Sequence, residues 1–438
     1  MKIVQAVGWY FPEGVSGTEV YVAGLSHRLK AAGHEVSIAS PLSGLSSARI
    51  YEHQKIPVFR YPIPTEPSRA ECQGRCIVRG AELFHQWLRQ ERADWVHFHT
   101  FSTGLGIAEV EAARTAGARV LATNHLASLG FICQRGTLMR WGESLCDGVC
   151  EPVKCAECEL NHRGLPRVAA SLLARVTNVP MPEFPGPIGS ALSMPNLIRR
   201  NLQTQHRLFA LLEWFVVLNQ WAADAVVANG APPEKVVLNR LGVSYRAPNG
   251  AALRTSRAPD APVKIGYFGR IVELKGVVEL AKAFASLPKD ANATLEFRGP
   301  AEGDAAQALI GQLREIVKGD KRVIFSPPVS AMEAPQILAN YDVLCIPSIW
   351  FENGPTVMME AHAVGTPVIG TRIGAMAEII RDKVNGRLVP PRDVAALAAA
   401  LQEVVSNPSE TINCWRRALP PTRTMDDIAA DYLRLYET

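Results

Sequence analysis

Short apolar runs bounded by Gly and Pro alternate along the chain with longer stretches whose apolar positions recur at helical spacing. That alternation is the pattern of βα units built around parallel sheets. Two sets are legible. The first predicts strands over residues 3–7, 36–39, 95–99, 120–123 and 226–228, and a helix over residues 19–32 that turns Val22, Leu25 and Leu29 inward. A polar, Ala- and Pro-rich stretch at residues 246–262 reads as a linker. Beyond it, the second set predicts strands over residues 263–268, 293–297, 323–325, 343–347, 367–370 and 387–389. Phe209, Trp214, Phe215 and Trp221 recur at helical spacing and read as core rather than a lipid anchor. The expectation is an α/β chain with two Rossmann-like parallel-sheet domains, residues 1–240 and 241–415, facing an interdomain cleft. Open parallel sheets take ligands outside the carboxyl ends of their strands, so that cleft is the expected site. Residues 131–200 break the βα rhythm and read as an insertion, cysteine-rich over residues 131–165 and expected to bury little apolar surface.

Composition narrows the function classes. A chain of 438 residues predicts two or three domains, and 47% hydrophobic against 20% charged residues excludes a disordered polymer. A net charge of +4 lacks the dense positive field of a nucleic-acid binder, so no nucleic-acid partner is expected. The 24 Lys/Arg and 20 Asp/Glu before residue 241 hold the whole excess, which reads first as solvated surface and second as attraction to an anionic acceptor or lipid headgroups. The opening residues carry too short an apolar run for a signal peptide. The most apolar window, residues 208–218, is interrupted by Glu213 and falls short of the roughly 20 residues of a spanning helix. A cytoplasmic protein is expected, with a peripheral contact at the inner membrane surface as an option. Nine cysteines in that compartment imply reduced thiols or metal ligands.

The densest chemistry lies in residues 349–361, after the predicted strand 343–347. Gly354-Pro355 gives a turn with Pro355 suited to the first helical position, leaving the N–H groups of Thr356, Val357 and Met358 as an anion seat. Glu352 precedes that helix and Glu360 lies inside it, so the two carboxylates can occupy different depths of one pocket. At the end of the predicted strand 263–268, Arg270 can fork onto two phosphate oxygens while Lys275 supplies a mobile point charge. Between the first strand and first helix, Gly14 and Gly17 permit close backbone approach to a ligand.

Together these motifs resemble the retaining glycosyltransferases of family 4, nearly along the whole chain. The resemblance rests on Gly269-Arg270 with Lys275, the Glu352/Glu360 pair, the run AHAVGTP from Ala361, and Ala377-Glu378-Ile379 leading to Asn385-Gly386. It implies the two-domain GT-B architecture, with residues 416–438 as a helix crossing back to the first domain. Arg270 and Lys275 would clamp the donor diphosphate, Glu360 would bind the ribose, and Glu352 would stand beside the transferred sugar. His125, in Thr123-Asn124-His125, would lie near sugar and acceptor, and the Gly14 to Gly17 loop near the donor phosphates. The implied partners are a nucleotide-sugar donor and a saccharide or glycoconjugate acceptor. Cations and N–H groups would meet the charge on the leaving diphosphate, so no cofactor is required for catalysis. A sugar-nucleotide epimerase or a phosphorylase on the same architecture remains an alternative, as does a non-catalytic metal-binding scaffold.

Cys133, Cys146, Cys150, Cys155 and Cys158 fall close together, and Cys155-x2-Cys158 has the spacing of thiolate metal ligands. Four of them could enclose one structural zinc; an iron–sulfur cluster uses the same ligands and stays open. The resemblance extends to a subset of these transferases with thiols at positions like Cys133, Cys146, Cys155 and Cys158, which leaves Cys150 as the substitute.

Overall fold

A computed structural model of the chain describes residues 1–14, 17–125, 132–179, 186–243, 258 and 260–438. It divides into two compact units. Unit 1 holds Met1–Arg240 and Met425–Thr438, and unit 2 holds Leu241–Thr424. The expected linker at residues 246–262 lies mostly outside the described residues.

Unit 1 carries strands β1 (Lys2–Ala6), β2 (Glu35–Ser43), β3 (Arg49–His53), β4 (Ile56–Ile63), β5 (Trp95–Phe98), β6 (Arg119–Thr123), β7 (Met139–Arg140), β8 (Ser144–Leu145), β9 (Trp214–Val217) and β10 (Val236–Leu238). Eight of them form one sheet in the order β10-β9-β6-β5-β1-β2-β4-β3, parallel except for the β3–β4 pair. Its central strands are buried on both faces, and Ile3, Val4, Val96, Phe98, Val120 and Leu121 are fully buried. The helix Gly17–Ala31 turns Val22, Leu25 and Leu29 into that core.

Three local expectations fail. Residues 226–228 end the helix Gln220–Ala228 instead of forming a strand. Asn219 caps this helix by accepting from the Ala222 amide at 2.8 Å, and Ala222, Ala225 and Val226 are buried at helical spacing. The helical reading of Trp214 and Phe215 is overturned too. Both lie on β9, after the helix Met194–Leu211 has ended, although Phe209 still meets Phe215 edge-on at 5.5 Å. Thirdly, the insertion buries more apolar surface than expected. After the hairpin β7–β8, the helices Pro152–His162, Arg167–Val176 and Met194–Leu211 enclose Ala156, Leu160, Ala170, Ala174, Met194 and Ile198.

The last helix, Met425–Glu437, belongs to unit 1 and buries Met425, Ile428, Tyr432 and Tyr436. Tyr432 shares hydrogen bonds with Thr123 Oγ1 (2.7 Å) and Tyr21 (3.0 Å), while the Tyr436 hydroxyl meets His97 Nδ1 at 2.7 Å.

Unit 2 carries β11 (Val263–Phe268), β12 (Ala293–Arg298), β13 (Val323–Ser326), β14 (Val343–Ile346), β15 (Val368–Thr371) and β16 (Gly386–Val389), all parallel in the order β13-β12-β11-β14-β15-β16. Alternation along β14 explains its unbroken apolar run. Val343 and Cys345 pack on the side of the helices Val277–Ala285 and Val394–Ser406, and Leu344 and Ile346 on the side of Met358 and Ala361. The helix Pro408–Arg417 stays in unit 2 through Ile412 and Trp415.

Candidate functional site

In unit 2 the loops after β11, β14 and β15, three neighbouring strands, are joined to one another. Gly276, at φ 72°, passes so close to the β14 loop that a Cβ there would lie 1.9 Å from the Pro347 carbonyl oxygen. Ile349 N–H bonds the Leu274 carbonyl at 3.0 Å, tying the same two loops. The loop after β15 joins through Thr371, whose hydroxyl donates to the Ser348 carbonyl at 2.7 Å, and through the Ala375 amide on the Glu352 carbonyl at 3.0 Å. Gly374 at φ 57° permits that approach, since a Cβ would meet the Glu352 carbonyl at 2.2 Å.

Glu352 is the electrostatic centre of this seam. Its Oε1 accepts from Lys275 Nζ at 2.5 Å, Ser348 Oγ at 2.7 Å and Trp350 Nε1 at 3.1 Å. Side-chain exposure is 9% for Glu352 and 22% for Lys275, so the pair is largely withdrawn from water. Three donors on one oxygen fix the carboxylate and leave Oε2 without a hydrogen bond among the described residues. Arg270 follows Gly269 at the end of β11, its carbonyl held by the Tyr267 hydroxyl at 2.6 Å. Its side chain is exposed and makes no ion pair among the described residues. Sequence spacing assigned Arg270 and Lys275 one shared ligand; the structure gives Lys275 a carboxylate partner and leaves Arg270 open.

The helix Thr356–Ala363 starts one residue later than expected, with Pro355 as its cap at φ −66°. The Met358 amide bonds the Pro355 carbonyl at 3.0 Å, which removes it from the anticipated anion seat. Thr356 and Val357 keep their N–H groups unbonded among the described residues, and the helix dipole places partial positive charge there. Gly354 passes against Leu241, where a Cβ would lie 2.6 Å from Leu241 Cδ1. Glu360, one and a half turns inside the helix, is partly buried with no ion pair among the described residues, and burial raises its carboxyl pKa.

In unit 1, Gly14 donates to the Tyr10 carbonyl at 2.9 Å, and Gly17 opens the first helix with free space about it. Residues 15–16 between them lie outside the described residues. Arg60, only 1% exposed, holds this loop through Glu13 at 2.7 Å, an arrangement the sequence did not disclose. His125 closes a row of buried polar groups. Gln5 Oε1 accepts from His99 Nε2 at 2.5 Å, so His99 Nδ1 accepts from His125 Nε2 at 3.2 Å. Burial pushes the His125 pKa down to about 3, so the ring is neutral with its lone pair on Nδ1. Gln5, Tyr21 and Tyr432 were not legible as parts of this set because they come from distant elements.

Cys133, Cys146, Cys155 and Cys158 line one cavity in the insertion. Cys150 is buried beside it, its sulfur 3.9 Å from that of Cys155. Among the described residues no three Cys, His, Asp or Glu side chains close on one metal position.

Two parallel-sheet units in succession, with polar and charged side chains on the loops after the strands, are the parts of the GT-B class of fold. Comparison with known proteins agrees. The family model for glycosyl transferases group 1 matches residues 252–418, and that for the glycosyl transferase 4-like domain matches residues 16–154. The fold is that of GT-B glycosyltransferases, and two glycosyl transferase family models match successive parts of the chain. Similar curated proteins include the amylovoran biosynthesis glycosyltransferase AmsK of Erwinia amylovora, 27% identical over 233 residues that cover 51% of this chain and 55% of that one. Another is the D-inositol 3-phosphate glycosyltransferase of Pseudarthrobacter chlorophenolicus, 31% identical over 205 residues (45% and 48%). The chain spans about half the length of the curated relatives it matches. Among solved structures, Anabaena Alr3699/HepE in complex with UDP superposes over all of both chains with a TM-score of 0.66 at 14% identity.

Proposed function

We propose that the protein moves a sugar from a nucleotide-sugar donor to a saccharide or glycoconjugate acceptor with retention of configuration. The carrying observation is the seam of loops after β11, β14 and β15, which holds a guanidinium and two amides without partners among the described residues and the largely water-excluded Lys275–Glu352 pair. The C–O bond to the diphosphate breaks while the acceptor oxygen attacks the same face of the sugar. The acceptor proton passes to the departing phosphate oxygen, so the step balances without a protein base. Arg270, Lys275 and the Thr356 and Val357 amides stabilise the growing negative charge, and this scheme needs no divalent cation for departure. Glu352 offers Oε2 to the sugar, Glu360 accepts from ribose hydroxyls, and His125 offers Nδ1 to a sugar hydroxyl. HepE was crystallised with UDP-glucose, and relatives are named for amylovoran and colanic acid biosynthesis, which supports a nucleotide-sugar donor and a growing polysaccharide acceptor.

Turnover of a panel of nucleotide sugars, read as nucleotide release with and without acceptors, tests the reading. Arg270→Ala and Glu360→Ala should each lower turnover at least about tenfold, the worth of one or two charge-assisted bonds. Unchanged turnover in both refutes the site, and an inert scaffold would show no nucleotide affinity at all.

The same reading places the protein in the cytoplasm with a peripheral contact to an anionic membrane. No described helix is long and apolar enough to cross one. Val168, Leu172 and Val176 form one stripe of the helix Arg167–Val176 and are 74%, 60% and 74% exposed, with Ile188 nearby in sequence at 77%. Residues 160–211 hold six Arg against one Glu, which suits anionic headgroups. Flotation with phosphatidylglycerol vesicles should lose the protein when the stripe is changed to Ser; equal flotation of both forms refutes the contact.

A further inference from the structure

We propose that Gln5 is a positioning and specificity-determining residue: through His99 it locks His125 in the tautomer whose Nδ1 can only accept a hydrogen bond. Strand order brings the groups together. β1, β5 and β6 are neighbours, and Gln5 stands opposite His97 in the register of β1 and β5. Hydrogen bonds carry the row on from there, from Gln5 to His99 and His125, and from His97 to Thr123. Gln5, His97 and His99 are at most 1% exposed. A polar side chain in the middle of a buried strand is costly unless it is bonded, so the polarity of each bond matters here.

Burial lowers the pKa of all three histidines, which leaves each neutral imidazole one proton to place. Gln5 Oε1 has no hydrogen to give, so His99 brings its proton on Nε2, at 2.5 Å. The Nδ1 of His99 is then bare and bonds His125 Nε2, at 3.2 Å, with the proton of His125. The direction is decided at Gln5 and read at His125. Burial raises the Tyr436 phenol pKa, and the Gln5 amide works against that rise, as a donor end turned toward the phenol oxygen does. That orients Oε1 to His99. His97 imposes no direction, because its two nitrogens meet the hydroxyls of Tyr436 and Thr123, each at 2.7 Å, and a hydroxyl donates or accepts as required. Tyr21 lies edge-on to the His125 ring at 4.9 Å, which steadies its plane while the hydrogen bond sets its tautomer.

A bare Nδ1 selects its ligand. A sugar hydroxyl can donate to it, whereas an ether oxygen or a fluorine in that place brings lone pair against lone pair. With the row reversed, His125 would present Nδ1–H and all three would be accepted. This selection rests on the reading of His125 as a residue beside the sugar; the tautomer does not.

Nuclear magnetic resonance of the full chain with isotope-labelled histidines reports each tautomer through long-range nitrogen–proton correlations, the signals being assigned with His99→Ala and His125→Ala. The unligated protein should carry the protons of both His99 and His125 on Nε2. His125 protonated on Nδ1 overturns the proposal, without recourse to any Gln5 variant. Gln5→Met keeps the length and removes the acceptor, so an Nδ1–H form of His125 should appear. Turnover of the nucleotide sugar that the panel selects should fall about three- to tenfold, the worth of one hydrogen bond. Gln5→Glu restores an acceptor and should return both readouts. An unchanged His125 tautomer in Gln5→Met overturns the positioning role, even if that variant melts earlier or turns over more slowly. Among singly fluorinated forms of the same donor, one should lose about tenfold with the unaltered protein and little with His125→Ala. Equal losses with both proteins overturn the selection, and undiminished turnover in His125→Ala refutes the placing of His125 beside the sugar while the tautomer result stands.

Discussion

Replacing Lys275 by Met removes the ammonium from Glu352 and leaves a carboxylate that is only 9% exposed. Breaking a buried pair by deleting one partner costs roughly 3–5 kcal/mol. Here the loss is smaller, because Lys275 is 22% exposed and Ser348 and Trp350 still donate to Oε1. About 2 kcal/mol is expected, and for a unit the size of Leu241–Thr424 that lowers the melting temperature by about 4–8 °C. Adding Glu352→Gln to Lys275→Met removes the orphaned charge, so the double variant should regain most of the loss. Differential scanning calorimetry of the four proteins closes the cycle, read on the transition that the single variants move, since a two-unit chain need not melt in one step. If the two substitutions add independently within about 0.5 kcal/mol, the pair is not coupled and its description as one electrostatic unit is wrong.

Thr356→Pro deletes one unbonded amide at a helix position that tolerates proline, and Pro355 at φ −66°, ψ 109° already has the conformation a following proline needs. Nucleoside diphosphate affinity, measured by titration calorimetry, should fall about tenfold with melting unchanged. Burial raises the Glu360 carboxyl above its unfolded value, so ionising it costs stability as pH rises through that window. Glu360→Gln should therefore be the more stable protein at pH 8, and the advantage should vanish below about pH 4, the range of an unfolded carboxyl; a gap in melting temperature independent of pH contradicts this. Tyr436→Phe strips the partner from His97 Nδ1 in a fully buried setting and should cost about 1–3 kcal/mol in urea unfolding while leaving nucleotide affinity intact.

The second sheet was readable because its strands are short apolar runs between turn residues; β11 matches the expected residues 263–268 end to end. The first was harder. Pro57 and Pro62 sit inside β4, and the polar alternation of β3 gives no buried face, so the β3–β4 pair left no strand signal. In the residues 226–228, two valines and an alanine outweighed a capping Asn seven positions earlier, and local propensity misled. Within the candidate site, residue types were legible but partnerships were not. Lys275 and Glu352 stand 77 positions apart and meet because β11 and β14 are neighbours, an order that sequence position does not reveal. Ser348 and Trp350 lay beside Glu352 in plain view, yet nothing in their spacing says that both turn back onto its Oε1.

The helix Met425–Glu437 sets an order on biosynthesis. Unit 1 is begun first by the ribosome, but His97 and Thr123 wait for Tyr436 and Tyr432, which are translated after all of Leu241–Thr424. The later unit can therefore finish first, while the earlier one lacks the cover of Tyr436 over Trp95 until residues 425–437 have been made. A nascent chain stalled shortly before Met425 would leave Trp95 uncovered to chaperones and proteases, although most of its sheet would already be paired.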